Sequence, residues 1–141
     1  MRVSAKVDYA LRAMIELAAG PDGPVKGERL ATAQEIPLKF LENILLELRH
    51  AELVASQRGA EGGYRLARPP GEITVADVIR AVEGPIASVR GSRPEEISYQ
   101  GYARGLQELW MELRASMRTV LEHTTLADLV ERSGSGPRKR T

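Results

Sequence analysis

The feature that most constrains this chain is a change of period at residue 53. Before it, apolar residues recur at helical spacing. Over Leu53-Val54-Ala55-Ser56-Gln57 and again over Tyr64-Arg65-Leu66-Ala67 the sequence reads instead as two short strands. The segment between them, Arg58-Gly59-Ala60-Glu61-Gly62-Gly63, carries enough glycine to reverse the chain, and Pro69-Pro70 stops the returning strand.

Three helices are predicted before the hairpin. Val7 to Ala19 places Val7, Ala10, Leu11, Met14 and Ala18 on one face, with Ile15 and Leu17 at its borders; Ser4 is the N-cap and Gly20-Pro21 the stop. After the turn Pro21-Asp22-Gly23-Pro24, Gly27 to Gln34 buries Leu30 and Ala31. Glu35-Ile36-Pro37 is a tight connection to a third helix, Leu38 to His50, whose buried stripe is Leu41, Ile44, Leu45 and Leu48. The order helix, helix, helix, hairpin is that of a winged helix-turn-helix. The fold class expected is mainly α with a small β-hairpin wing.

In such a unit the second helix of the pair enters the major groove, about 12 Å wide, and the hairpin lies along the backbone or the adjacent minor groove. The helix then offers Lys39, Phe40, Asn43 and Arg49. Asn43 can donate and accept together, which suits an adenine edge, and Lys39 suits a phosphate or a guanine. The wing offers Gln57, Arg58, Gly59, Gly62, Gly63, Tyr64 and Arg65, with Arg68 beyond. Arginine beside a glycine-rich turn suits a minor groove. Each of these residues taken singly also reads as an ordinary solvated charge or turn; it is their order and spacing that favour duplex DNA.

Beyond the hairpin, Val75 to Glu83 is predicted helical, with Thr74 and Asp77 forming a capping box and Gly84-Pro85 ending it. Residues 86–101 read as an irregular linker. Tyr102 to His123 reads as a helix roughly 30 Å long. Its stripe of Leu106, Leu109, Leu113, Met117, Val120 and Leu121, with Trp110 beside it, is too large to stand exposed. It packs either on its own domain or, as favoured here, on a second copy of the chain. A short helix over Thr125 to Glu131 follows, and the end from Ser133 is expected to be disordered. The expected units are a DNA-binding domain over 1–85, a linker over 86–101, the dimerisation and terminal helices over 102–131, and a basic tail over 132–141.

Several function classes lack their residues. The chain has no cysteine and only two histidines, His50 and His123, far apart in sequence. Disulfides, thiolate nucleophiles and sulfur-ligated metals are therefore excluded, and no phosphate loop or nucleophile elbow is present. No enzyme and no metal site is expected, although carboxylate-only chemistry is not addressed by this argument. No apolar run approaches the roughly 18 residues of a membrane span, and Lys6, Asp8, Arg12 and Glu16 interrupt any leader-like segment, so a cytoplasmic protein is expected. Net charge is +1, and Arg138-Lys139-Arg140 supplies three of the positive charges. The remaining body is slightly acidic, so a DNA face must be a local basic patch.

The residues also carry a resemblance. RGAEGGYRLARPPGEITVADVIRAVEGP, from Arg58 to Pro85, closely resembles the wing and following helix of the BadM/IscR/NsrR/CymR (Rrf-two) family of transcriptional regulators. IPLKFLENILLELRHAELV resembles its recognition helix, KVDYALRAMIELA its first helix and TTLADLV its final segment, so the likeness spans residues 1–131. It implies a homodimer on a palindromic operator, commonly a repressor, with a long helix that crosses its partner. Many such relatives hold an iron–sulfur cluster through cysteines in the linker. Here Arg104 and Gln107 stand at ligand positions, and Asp8 matches a carboxylate ligand of some members. Without cysteine no cluster is expected, and Asp8 is expected to be a helix-surface charge or part of an ion pair instead. The effector is left open between a small molecule near Tyr99, Tyr102 and Trp110, a partner protein, and none. The competing reading is an interaction module of the same fold that no longer binds DNA, favoured by Glu42 and Glu47 on the recognition helix. Glu35 and Glu52 stand where relatives usually have glycine, and if Glu35 needs positive φ the turn there carries some strain.

Overall fold

A computed structural model of the protein describes residues 2–134. Six helices and one hairpin follow in the order α1 (Ala5–Ala19), α2 (Gly27–Gln34), α3 (Leu38–His50), β1 (Val54–Gln57), β2 (Gly63–Leu66), α4 (Val75–Glu83), α5 (Gly105–Glu122) and α6 (Leu126–Gly134). Short 3₁₀ turns occupy Pro70–Glu72, Pro94–Glu96 and Gly101–Ala103. The mainly helical class with an antiparallel hairpin is thus the one read from the sequence.

Local chemistry sets most boundaries. Ser4 is extended and its hydroxyl accepts from the Val7 N–H at 3.1 Å, so the first helical residue is Ala5, two before the expected start. Thr74 and Asp77 close the expected capping box on α4, at 3.0 and 2.9 Å. Gly101, at φ +58°, and the turn it opens delay α5 to Gly105, three residues later than periodicity suggested. Ser133 and Gly134, expected in the disordered end, are the last residues of α6; residues 135–141, the rest of the expected basic tail, lie outside the described residues.

Leu41, Ile44, Leu45 and Leu48 of α3 lie fully buried beside Met14, Leu30, Leu53, Val54, Ile73 and Val78. Each fully buried leucine or isoleucine contributes roughly 1.5–3 kcal/mol relative to exposure. The buried face of α1 is rotated from expectation. Ala13 and Leu17 are buried, while Leu11 and Ala18 are only partly covered, because α4 and α6 pack on α1 as well as α2 and α3.

The chain closes on itself through α6. Leu126 has no exposed surface and its N–H donates to the Ile73 carbonyl at 3.0 Å, while Val75 N–H donates to Thr124 at 2.9 Å. Thr125 and Asp128 cap α6 reciprocally, and those bonds hold the Asp128 carboxyl below the usual carboxylate range. Hydrogen bonds from Arg80 of α4 and Arg118 of α5 lower the pKa of Glu122 in the same way. Leu126 is therefore the point at which the last part of the chain enters the core of the first.

Glu35 ends α2 in the left-handed region (φ 54°, ψ 49°), with its N–H on Ala31 and Thr32, and Glu52 has φ 62°. This conformation costs a non-glycine residue roughly 1–2 kcal/mol, partly offset by the greater unfolded-state entropy of glycine. Glu35→Gly and Glu52→Gly should each stabilise the fold by up to about 1 kcal/mol, read as a higher urea midpoint at unchanged slope. A lower midpoint would show that contacts of the glutamate side chains outweigh the strain.

Candidate nucleic-acid interface

Because one stripe of α3 is buried, the opposite stripe faces outward. Lys39, Asn43 and Arg49 are exposed there. Lys39 and Asn43, four residues apart, stand one above the other. Phe40 is placed differently. Its ring meets Tyr9 of α1 edge-on, with centroids 5.4 Å apart, and Arg12 lies 4.8 Å over the Tyr9 ring, leaving Phe40 38% exposed at the border of the face. Of the two glutamates that weakened a DNA reading, Glu47 is ion-paired to Lys6 of α1 at 2.9 Å. Glu42 remains exposed on the side toward the wing, lining a groove with Lys26, Arg49, Ser56 and Arg58.

The hairpin pairs Val54 with Leu66, Ala55 with Arg65, Ser56 with Tyr64 and Gln57 with Gly63. Gln57, Arg58, Gly59, Arg65 and Arg68 are exposed, while Gly62 is buried and Gly63 and Tyr64 half-buried. Two glycines are there for space. A Cβ on Gly62 would lie 2.1 Å from the Gln57 carbonyl oxygen, and one on Gly63, at φ +145°, would lie 2.5 Å from the Val25 carbonyl oxygen. Val25 comes so near because it pairs with Tyr64 through two 2.8 Å backbone bonds, lending the hairpin a third extended segment. Two side-chain bonds add to this: Arg49 donates to the Ser56 hydroxyl at 3.0 Å and Lys26 to the Gly59 carbonyl at 2.9 Å.

Val25, Lys26 and Ser56 had not been singled out in the sequence. A lone valine after a turn shows no period, and a lysine before a helix reads as a solvated charge. Lys39, Arg49, Arg58, Arg65 and Arg68 all stand on exposed positions; Arg49 and Arg58 line the groove with Lys26, while Arg65 and Arg68 lie beside the end of α1.

The linker and α5 form the second candidate surface. Gln107 donates to the carbonyls of Pro94 and Glu95, both at 3.3 Å; Trp110 donates to the Tyr99 hydroxyl at 3.0 Å; and Arg114 pairs with Glu95 at 2.6 Å. The Glu95 carboxyl is held below its usual range, first by its own backbone N–H and then by Arg114. Away from this contact, α5 has no buried residue. Leu106, Leu109, Leu113 and Val120 are exposed, and Trp110, Met117 and Leu121 are half-buried.

These residues do not fit a thiolate-held iron–sulfur cluster. The chain has no cysteine, Gln107 offers an amide rather than a thiolate and donates its N–H to the linker, and Arg104 offers only donors, one of them spent on the Gly101 carbonyl. Of the two roles open to Asp8, it takes the ion pair, with Arg12 at 3.1 Å. Among the described residues no group of three histidines or carboxylates could hold a metal ion. No helix is long and apolar enough to cross a membrane among them.

Comparison with known proteins gives one consistent result. The family described as "Rrf2: Iron-dependent Transcriptional regulator" matches residues 3–132. Rv1287 of Mycobacterium tuberculosis, which bears the name of an HTH-type transcriptional regulator, is 54% identical over 92% of this chain and 81% of its own. The structure of CymR, the global cysteine regulator of B. subtilis, superposes with a TM-score of 0.80 at 37% identity, covering 94% of this chain and 98% of that one. T. potens IscR gives a TM-score of 0.80 at 32% identity, covering 100% and 94%.

Gly63→Ala should disrupt the wing specifically, since neither the Val25 backbone nor the φ of residue 63 can accommodate a methyl group. The expected result is faster amide exchange at Tyr64 and Val25, and a loss of roughly 1–3 kcal/mol in global stability. An alanine variant with unaltered exchange at both amides would contradict the packing described.

Proposed function

Since the chain belongs to the Rrf2 family of transcriptional regulators, which are not enzymes, we propose that it is a cluster-free member that binds a palindromic duplex as a homodimer and represses transcription there. The observation that carries the DNA reading is the exposed face of α3 standing beside a wing bonded to both flanks of the helix-turn-helix. Asn43 reads a base, Lys39 and Arg49 flank it, and Arg58, Gln57 and Arg65 hold the backbone or minor groove.

The homodimer rests on α5, an 18-residue helix without one fully buried residue. A second copy related by a two-fold axis would cover its leucines and place two copies of α3 on half-sites about one helical turn, roughly 34 Å, apart. A dimer so seated occludes the duplex, which makes repression the simplest outcome of binding. The donor set supports the cluster-free reading, and DNA as partner implies the cytoplasm.

The interaction-module alternative is favoured by exposed Glu42 but not by Glu47, whose charge Lys6 balances. Duplex binding separates the two. For a dimer making 6–10 phosphate contacts, affinity should fall about 10³–10⁵-fold between 50 and 200 mM salt. Arg58→Ala should weaken binding to all sequences and flatten the salt slope, while Asn43→Ala should relax preference at one base pair by about 1–3 kcal/mol. Equal losses on every sequence for Asn43→Ala would remove its base-reading role, and no salt-sensitive binding would favour the interaction module. Purified protein should be colourless and free of iron; stoichiometric iron with visible absorbance would overturn the cluster-free assignment.

A further inference from the structure

Lys26 occupies the N-cap position of α2 in an extended conformation, yet its side chain makes no capping bond. It reaches instead across 33 positions of sequence to the tip of the wing, where its ammonium donates to the Gly59 carbonyl at 2.9 Å. That oxygen also accepts from the Gly62 N–H at 3.0 Å, so one atom closes the turn from within and is gripped from outside. Gly59 has φ +103°, and the hairpin tip holds three glycines within five residues, the composition with most conformational freedom to lose on binding.

The other restraints on the hairpin lie farther from this tip. Val25 pairs with Tyr64 at the start of β2, and Arg49 bonds Ser56 in β1. Arg58, the wing residue beside Gly59, is exposed and follows whatever conformation the turn adopts.

We propose that Lys26 is a positioning residue for the wing: by holding the Gly59 carbonyl it fixes Arg58 relative to α3, and it acts on DNA through Arg58 rather than through a phosphate of its own. This deepens the reading of the chain as a DNA-binding regulator and rests on it. A turn ordered before the encounter loses less freedom during it, so the contribution appears in affinity although Lys26 reads no base. Lysine suits the task because its long stem spans the gap and its ammonium makes a charge-assisted bond with a neutral carbonyl.

The test uses the full chain with Lys26→Ala, Lys26→Arg, Arg58→Ala and the double variant Lys26→Ala/Arg58→Ala. Without DNA, Lys26→Ala should speed amide exchange at Gly62 while leaving Ile44 and Leu45 in the α3 core unchanged, and Lys26→Arg should restore protection. With duplex, Lys26→Ala should weaken binding about tenfold in the wild-type background and little when Arg58 is already alanine. Unchanged Gly62 exchange would overturn the proposal while leaving DNA binding itself intact. Independent, multiplicative losses in the cycle would also overturn it and assign Lys26 its own phosphate. Failure of the wild-type chain to bind any duplex would overturn the functional reading and this role with it, whatever the exchange measurement shows.

Discussion

Leu41, Ile44, Leu45 and Leu48 bury completely where α3 meets α1 and α4, and the orientation of everything outside the core follows from that burial. With one stripe of a 13-residue helix committed inward, Lys39, Asn43 and Arg49 have only the outward side to occupy. The same helix carries into Leu53 and Val54, both buried, so the root of the wing is an extension of the core rather than an appendage. A change in the tilt of α3 would therefore move its outward face and the wing together.

The hairpin is stabilised by its neighbours more than by its own length. Two four-residue strands are too short to persist alone. Val25 supplies a third extended segment, Arg49 ties β1 to the end of α3, and the glycines let these backbones approach. The helix α5 is held by the Glu95–Arg114 pair at its middle and by Arg80 and Glu122 at its end, while Leu106, Leu109 and Leu113 stay exposed. The outward face of α3 and the apolar face of α5 are joined through α4, which packs on both helices.

Much of this was legible in the sequence because burial leaves a period. The inward stripe of α3, Leu30 and Ala31 of α2, the α4 capping box and the hairpin all follow from spacing and local hydrogen-bond chemistry. The strain at Glu35 was legible only through the resemblance, whose members usually carry glycine at that position; Glu52 shares the positive φ. What spacing could not give were contacts between distant segments. The approach of Val25 to Tyr64, the reach of Lys26 to Gly59, the edge-on contact of Phe40 with Tyr9 and the entry of Leu126 into the core each join residues that share no local pattern. The rotated face of α1 has the same origin, because α6 returns from the far end of the chain to cover it.

Under the proposed function, two copies of this chain read DNA together. This is tested most directly by selecting genomic duplexes bound by the purified protein and measuring the mass of the selected complex. The account predicts an enriched palindrome, with half-sites about one helical turn apart and two chains per duplex. A single chain on an asymmetric site, or selection that enriches no sequence at all, would contradict it.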